Sequence, residues 1–184
     1  GIPSVKDDSY LQAVPLQLEI KPDISLRISD QKFLYYQDYI SYANGPDKNY
    51  NSVETIFAGY GIDDENYSDY SNLDVKGKIV VALGGEPLDD NENYFINGKD
   101  KSKWSNSREE ISLKRSTAKN NGALALIIID DYLYRRYKSR FEYSDSGRGE
   151  KRMALGNDEE NNFQVLLFSE KHKNFLSKNG LNLN

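Results

Sequence analysis

The sequence predicts a mixed domain of the α/β or α+β class, with a buried β-sheet or sandwich core and a few flanking helices. Two apolar runs, Ile79–Leu83 and residues 123–129, are nearly continuous, which is typical of strands buried on both faces, as in parallel sheets. A helical pattern lies between them, and the order strand, helix, strand predicts a right-handed parallel crossover. A third apolar run, residues 163–168, predicts another buried strand.

The composition describes a well-solvated domain that is large enough to bury a core. The chain has 184 residues, of which 29% are charged, and a net charge of −5. This charge argues against nucleic acid and anionic membranes as partners. No apolar run approaches the roughly 18 residues that a membrane span needs. The sequence begins with Gly1 and not with Met, which is compatible with the removal of a targeting leader.

Alternating apolar residues near the N-terminus predict a β-hairpin. Leucine and isoleucine alternate with polar residues over residues 16–20 and again over residues 24–28, which is the period of a half-buried strand. A turn that contains Pro22 separates the two runs, so we predict that they pair with each other. We assign residues 1–30 to an N-terminal extension that carries this hairpin, and residues 31–184 to the main domain.

The middle of the chain alternates strands with glycine turns. Residues 53–58 are β-branched and aromatic and predict a strand, which ends at Gly59 and Gly61, two residues that are free to adopt positive φ. A second turn, at Gly77, begins the strand Ile79–Leu83. No Gly-Lys-Ser/Thr motif follows Gly59 and Gly61 or the later pair Gly84 and Gly85, and neither pair begins a helix, so these glycines do not predict a phosphate-binding loop.

A helix is predicted between the first two buried strands. Ser107 and Glu110 have the spacing of a capping box, and Gly122 lies where a glycine commonly follows the last helical turn. The predicted apolar face consists of Ile111, Leu113 and Ala118.

An insertion-like excursion over residues 132–162 follows the second buried strand. Leu133, Tyr137 and Phe141 repeat at helical spacing with basic residues between them, which indicates a solvated helix or hairpin, with an anion site as the alternative. Residues 152–155 predict a short strand. A last helix is predicted to begin after Ser169, to carry His172, Phe175 and Leu176 on one face, and to end at Gly180.

The sequence offers few groups for catalysis. His172 is the single histidine and there is no cysteine, whereas a zinc site needs three or four ligands and a Ser-His-Asp triad would have to use His172. We therefore interpret His172 as a surface or packing residue. Asp130 and Asp131 end a buried strand, where α/β proteins place their sites. We interpret them as a polar exit from the strand, with a hydrolase that uses either carboxylate as the alternative.

Two further features have a structural and a functional interpretation. Residues 63–69, from Asp63 to Asp69, are rich in oxygen ligands, but they lack the spacing and central glycine of an EF-hand, which leaves calcium binding as an alternative. Trp104 lies in a long connection, and we expect that it anchors this connection by packing; an exposed recognition tryptophan is the alternative.

Six segments, taken in order, carry a resemblance to a known family. They are YLQAVPL at residues 10–16, FAGYGI at 57–62, YSDYSNLDVKGKIVVAL at 67–83, GGEP at 84–87, KRSTAKNNGALALIIIDD at 114–131 and QVLLFSEKHKNFLSKNGLNL at 164–183. Together they resemble the protease-associated (PA) domain that is inserted into secreted co-catalytic zinc aminopeptidases of the glutamine cyclotransferase and bacterial leucine aminopeptidase-like superfamily. The resemblance covers most of the chain, and the chain departs from the family in the length and charge of residues 130–162.

The resemblance implies a non-catalytic domain that shapes substrate access or binds peptide or protein. In that family zinc is held by the peptidase domain, through a His-x-Asp motif and further ligands, and no His-x-Asp occurs between Gly1 and Asn184. No catalytic or metal residue is therefore assigned, no cofactor is expected in this chain, and the binding residues are left open. The implied partners are the peptidase domain of the same protein and a peptide or protein substrate.

The resemblance also implies a secreted, periplasmic or cell-envelope location. We further predict that two long, aromatic-bearing loops, residues 60–70 and 89–104, face the peptidase domain. The alternative function is a free-standing extracellular module that binds peptide or glycan.

Overall fold

The computed structural model describes residues 16–18, 24–43, 49–106, 109–146, 153–155 and 163–178. Within these ranges the chain forms short strands, three α-helices and two 3-10 turns, at Lys103–Ser105 and Glu170–His172. The helices are α1 (Glu110–Asn120), α2 (Asp131–Asp145) and α3 (Lys173–Lys178). The strands are β1 (Leu16–Leu18), β2 (Leu26–Ile28), β3 (Gln31–Phe33), β4 (Tyr39–Ala43), β5 (Thr55–Phe57), β6 (Asp63–Asp64), β7 (Tyr67–Ser68), β8 (Ile79–Leu83), β9 (Ala125–Ile129), β10 (Met153–Leu155) and β11 (Gln164–Phe168).

A five-stranded sheet in the order β4-β11-β9-β8-β5 forms the centre of the domain. Strands β5, β8, β9 and β11 are parallel, and β4 joins one edge in antiparallel orientation. The three continuous apolar runs thus form neighbouring strands, and β9 is buried along its whole length. This confirms the predicted mixed fold class and the parallel pairing.

Helices α1 and α2 cover the same face of this sheet. Helix α1 connects β8 to β9, and α2 begins directly after β9. Ile111 and Ala118 of α1 and Leu133, Tyr137 and Phe141 of α2 belong to one buried cluster with alternate residues of the central strands. The repeat at helical spacing therefore marks a helix, which is one of the two predicted forms, but its apolar face packs on the sheet and only its other face is solvated. Among the described helices, none is long and apolar enough to cross a bilayer.

The other face of the sheet is covered by the β2–β3 hairpin and α3. Phe33 of β3 and Leu176 of α3 are buried against the sheet residues Val81, Ile127 and Phe168. Since successive strand residues point to opposite faces, the nearly uninterrupted apolar character of β8, β9 and β11 follows from burial on both sides.

The predicted N-terminal hairpin is wrong in its pairing. Strand β1 pairs with β10 in antiparallel orientation, and β2 pairs with β3 across a turn in which Ser29 has φ of 51°. The alternation of residues identifies half-buried strands but carries no information on their partners. The proposed turn around Pro22 lies outside the described residues. The short strand predicted at residues 152–155 is confirmed as β10.

The predicted start of α1 is also corrected. The helix begins at Glu110, so this residue is at the first helical position instead of the third, and its carboxylate binds elsewhere. Ser107 lies outside the described residues, as does Gly180. Gly122 does follow the helix with φ of 83°, and a Cβ at this position would lie 3.2 Å from Cγ of Lys76.

Candidate functional site

The carboxyl ends of the four parallel strands bring polar segments together at one edge of the sheet. Gly59 and Gly61 follow β5, Gly84 and Gly85 follow β8, and Asp130 follows β9. Ser169 follows β11. Because ligands of open α/β sheets bind outside these carboxyl ends, this edge is the candidate site.

The turn after β5 is closed by the carboxylate of Asp69. Its Oδ2 accepts hydrogen bonds from the backbone N–H groups of Tyr60, at 3.1 Å, and Ile62, at 3.0 Å, and its Oδ1 accepts one from the hydroxyl of Tyr67 at 2.7 Å. Gly59 has φ of 44°, and a Cβ there would lie 2.1 Å from Oδ1 of Asp69. The protein's own carboxylate thus occupies the donors that an external anion would use in such a turn.

A buried ion pair lies beneath the turn after β8. The Nζ of Lys114 lies 2.9 Å from Oε1 of Glu110, and it also donates to the carbonyl oxygens of Leu83, at 2.8 Å, and Gly85, at 2.7 Å. Glu110 Oε1 in turn accepts from the N–H of Gly85 at 2.6 Å. All three protons of the ammonium therefore have acceptors. Burial lowers the pKa of Lys114, and the charge of Glu110 opposes this shift.

Asp130 caps the helix that follows it. Its Oδ1 accepts a hydrogen bond from the N–H of Leu133 at 2.6 Å, which is the geometry of an N-cap. Burial raises the pKa of Asp130, with a further upward contribution from Glu110. A Cβ at Gly84 would lie 2.2 Å from Oδ2 of Asp130, so the carboxylate lies directly against the turn after β8.

Asp131 binds a different part of the chain from Asp130. Its Oδ1 accepts from the N–H of Glu170, at 2.9 Å, and from the hydroxyl of Ser169, at 2.8 Å. Its Oδ2 lies 2.8 Å from Nη2 of Arg135. The bond from the backbone of Glu170 is the largest of the effects that lower the pKa of Asp131. The two carboxylates therefore bind separate parts of the chain, which supports the interpretation as a polar strand exit.

Glu86 is a buried carboxylate that the sequence did not single out. Its Oε1 accepts from the N–H of Ser102 at 2.7 Å, whereas its Oε2 is buried without a hydrogen-bond partner. The hydroxyl of Ser102 accepts from the N–H of Trp104 and begins the 3-10 turn Lys103–Ser105. Glu86 thus ties the two ends of the connection between β8 and α1 to each other.

Trp104 joins this connection to the loop after β5. Its side chain is 2% exposed, and its Nε1 donates to Oδ2 of Asp64 at 2.8 Å. The ammonium of Lys103 lies 3.1 Å from the same oxygen. The predicted packing role is confirmed, and the alternative of an exposed recognition tryptophan is wrong because the indole is covered. The oxygens of Asp64 and Asp69 that were considered for calcium accept hydrogen bonds from the protein itself.

The two loops predicted to face a partner domain contact each other. The rings of Tyr67 and Phe95 lie 5.6 Å apart. Phe95 donates its N–H to the carbonyl of Pro87 at 3.0 Å, and Leu88 forms a bridge with Tyr94. The segment after β8 therefore folds back on itself as a narrow loop that packs on the loop after β5.

His172 is a packing residue. Its ring contacts those of Phe33 and Phe168, with centroids 5.0 Å and 6.0 Å away, and its Nε2 lies 3.0 Å from Oδ1 of Asp38. Burial lowers the pKa of His172, and Asp38 opposes this shift. Lys171 lies 2.8 Å from the same carboxylate oxygen.

Sequence reasoning missed the buried polar residues Glu86 and Lys114, and it considered Asp69 only as a calcium ligand. The spacing of Lys114 from Glu110, four positions on a helix, was the available signal for their ion pair. In the part of the chain that the structure describes, no group of three or more histidine and carboxylate side chains is arranged to hold a metal ion. Comparisons with protein families, with curated proteins and with solved structures yield no match to this chain.

Proposed function

We propose that this chain is a non-catalytic protease-associated domain of a secreted zinc aminopeptidase, and that it shapes substrate access or binds peptide or protein. One observation carries the proposal. At the carboxyl edge of the sheet, residues 60–70 and 84–106 are fastened to each other while Leu88 and Phe95 remain 52% and 58% exposed. We propose that these two side chains, held on a fixed scaffold, contact the peptide or protein.

The spatial arrangement of the PA-like segments supports the proposal. Three of them, residues 57–62, 67–83 and 84–87, form β8 and the turns on either side of the candidate site. Within them Gly59, Gly61, Gly77 and Gly85 all have positive φ, as glycines that define turns commonly do. These three pieces are thus neighbours in the fold.

The carboxylates at this edge are engaged in hydrogen bonds and an ion pair within the protein, which favours a binding role over acid–base chemistry. A pair that acts as acid and base must face one substrate. Asp69 closes a turn, Asp130 caps a helix, and Asp131 holds the segment after β11. Glu110 is paired with Lys114. Each of these carboxylates therefore has a partner within the protein.

The coding sequence beyond the codon of Asn184 tests the proposal. We expect an open reading frame that encodes a His-x-Asp motif after a short linker, followed by further zinc ligands. A stop codon at this point would overturn the proposal and favour a free-standing binding module. In parallel, the purified chain with added zinc is expected to show no aminopeptidase turnover, and clear turnover would contradict a non-catalytic role.

A further inference from the structure

Two asparagines in the described part of the chain are followed directly by glycine, Asn97 by Gly98 and Asn121 by Gly122. In such a pair the backbone nitrogen of the glycine can attack the asparagine amide, because glycine has no side chain to hinder the approach and adopts many backbone conformations. Two further pairs, at residues 44–45 and 179–180, lie outside the described residues.

Asn121 is held by the end of helix α1. Its Nδ2 donates to the carbonyl oxygen of Thr117 at 3.0 Å, and the N–H of Gly122 donates to the carbonyl oxygen of Lys119 at 3.0 Å. The carbonyl oxygen of Gly122 in turn accepts from the N–H of Gly77 at 2.9 Å. Movement of the amide toward the nitrogen of Gly122 therefore breaks contacts that fix the helix end.

Asn97 lies in an open turn instead. Residues 95–97 connect Tyr94 to Gly98, and these two residues form a bridge. The side chain of Asn97 is exposed and has no hydrogen bond to another residue that the structure describes. A Cβ at Gly98 would have nothing within 4 Å.

The nitrogen of Gly98 becomes available when this bridge opens. Its N–H donates to the carbonyl oxygen of Tyr94 at 2.7 Å. Asn97, Gly98 and the two residues that follow are all exposed, and hydrogen bonds in such a loop open far more readily than those at a packed helix end.

We propose that Asn97 is a site of spontaneous deamidation, with water as the other reactant. The inference goes beyond the proposed function and does not depend on it. The backbone nitrogen of Gly98 bonds to Cγ of Asn97, and the bond from Cγ to Nδ2 breaks. The proton of the Gly98 nitrogen passes through solvent to the leaving group, which departs as ammonia.

The cyclic imide that remains is opened by water without any change of oxidation state. Attack of water at Cγ restores the backbone and gives aspartate, whereas attack at the backbone carbonyl gives isoaspartate. Both products place a negative charge in the turn that carries Phe95, and isoaspartate also lengthens the main chain of this turn by a methylene group. Phe95 is one of the side chains proposed to contact peptide, so the modification alters its surroundings as the protein ages.

Peptide mass spectrometry of the full, folded chain after incubation tests the inference. Trypsin cleaves after lysine and arginine, so it releases Asn97 within residues 79–99 and Asn121 within residues 120–135. The mass difference between acid and amide reports deamidation, fragment spectra assign it to a residue, and a sample digested without incubation gives the background. An isoaspartyl methyltransferase assay detects the isoaspartate product.

We expect a modified fraction at Asn97 that increases with time and forms several-fold faster than at Asn121. The rate is expected to be higher in mildly alkaline than in mildly acidic buffer, because the attacking nitrogen must lose its proton. Asn91 and Asn93 lie in the same peptide as Asn97 without a following glycine, and they are expected to stay unmodified.

The chain denatured in guanidinium chloride separates the effect of the structure from that of the sequence. Both pairs are Asn-Gly, so we expect Asn97 and Asn121 to react at similar rates once the fold is lost. Asn97→Gln is expected to remove the fast reaction from the folded chain and to leave the slow reaction of Asn121 as it was.

Equal rates at Asn97 and Asn121 in the folded chain would overturn the inference. So would an Asn97 that stays unmodified in the folded chain, whether or not it reacts after denaturation. Neither result bears on the proposed function, which is decided by the coding sequence beyond Asn184.

Discussion

The ammonium of Lys114 lies 2.9 Å from the carboxylate of Glu110, one helical turn earlier, and both side chains are buried. The pair also binds both sides of the turn after β8, through the carbonyls of Leu83 and Gly85 and the N–H of Gly85. A buried charge of this kind is tolerated only when its partners are complete. The first turn of α1 is thereby joined to the edge of the sheet on which the candidate surface is built.

Removal of the Lys114 ammonium without its partner Glu110 is expected to destabilise the fold. Lys114→Met leaves the carboxylate of Glu110 buried with a single backbone donor, and we expect the free energy of unfolding to fall by about 3–5 kcal/mol. Urea denaturation measures the change. Lys114→Met/Glu110→Gln removes the unpaired charge, so it is expected to be more stable than the single variant. Equal stability of Lys114→Met and the parent chain would show that the pair does not support the fold.

Substitution of Gly59, the first glycine of the turn after β5, tests whether a side chain there clashes with Asp69 in addition to straining the backbone. Gly59→Ala combines positive φ with a Cβ that would lie 2.1 Å from Oδ1 of Asp69. Gly77→Ala is the matched control, because Gly77 has φ of 73° and open space around it. We expect the control to lose roughly 1–2 kcal/mol from the left-handed backbone alone and Gly59→Ala to lose clearly more. Similar losses in thermal or urea unfolding would argue against a role for Asp69 in fixing this turn.

The sequence predicts those parts of the fold that depend on neighbouring residues, and it does not predict those that depend on contacts between distant segments. Strands β8, β9 and β11 and helix α2 were predictable because burial imposes a local pattern on consecutive residues. The pairing of β1 with β10 was not, because it joins segments far apart in the chain. The role of Glu110 was misread because an acidic residue near a helix start fits a capping box equally well. The burial of Lys114 has no local signal in the sequence, since it depends on the turn after β8.

Asp130 is expected to give a pH-dependent contribution to stability. Burial raises the pKa of its carboxyl in the folded chain, so the folded state binds the proton more tightly than the unfolded state does. Ionisation therefore costs stability above the raised pKa, and this cost disappears as the pH falls to the ordinary value of aspartic acid, about 4. Asp130→Asn keeps an N-cap and removes the charge.

We expect the stability of Asp130→Asn relative to the parent chain to be greatest near neutral pH and to decrease as the pH is lowered. Chemical denaturation at a series of pH values measures this difference. A relative stability that increases on acidification would contradict a raised pKa.

His172 is expected to make the fold less stable as the pH falls, which is opposite to the effect of Asp130. Burial lowers its pKa in the folded chain, while Asp38 and Lys171 face the ring with opposite charges. The unfolded state therefore binds the proton more tightly, and the fold loses stability as the pH falls below the ordinary value of histidine, about 6.5. His172→Gln removes this titration, so the loss between about pH 7 and about pH 5 should be smaller in the variant. A parent chain and a variant with parallel pH profiles would rule out the titration of His172 as a cause.

The central claim is that the loops at the carboxyl edge of the sheet provide a binding surface that serves a peptidase. The most direct measurement is the aminopeptidase kinetics of the complete gene product with peptide substrates, for the parent, for Leu88→Ser/Phe95→Ser and for the control Tyr143→Ser. We expect the double variant to raise KM or lower kcat/KM several-fold with its thermal stability unchanged, and the control to match the parent. Unchanged kinetics in the double variant, or the same loss in the control, would contradict the claim.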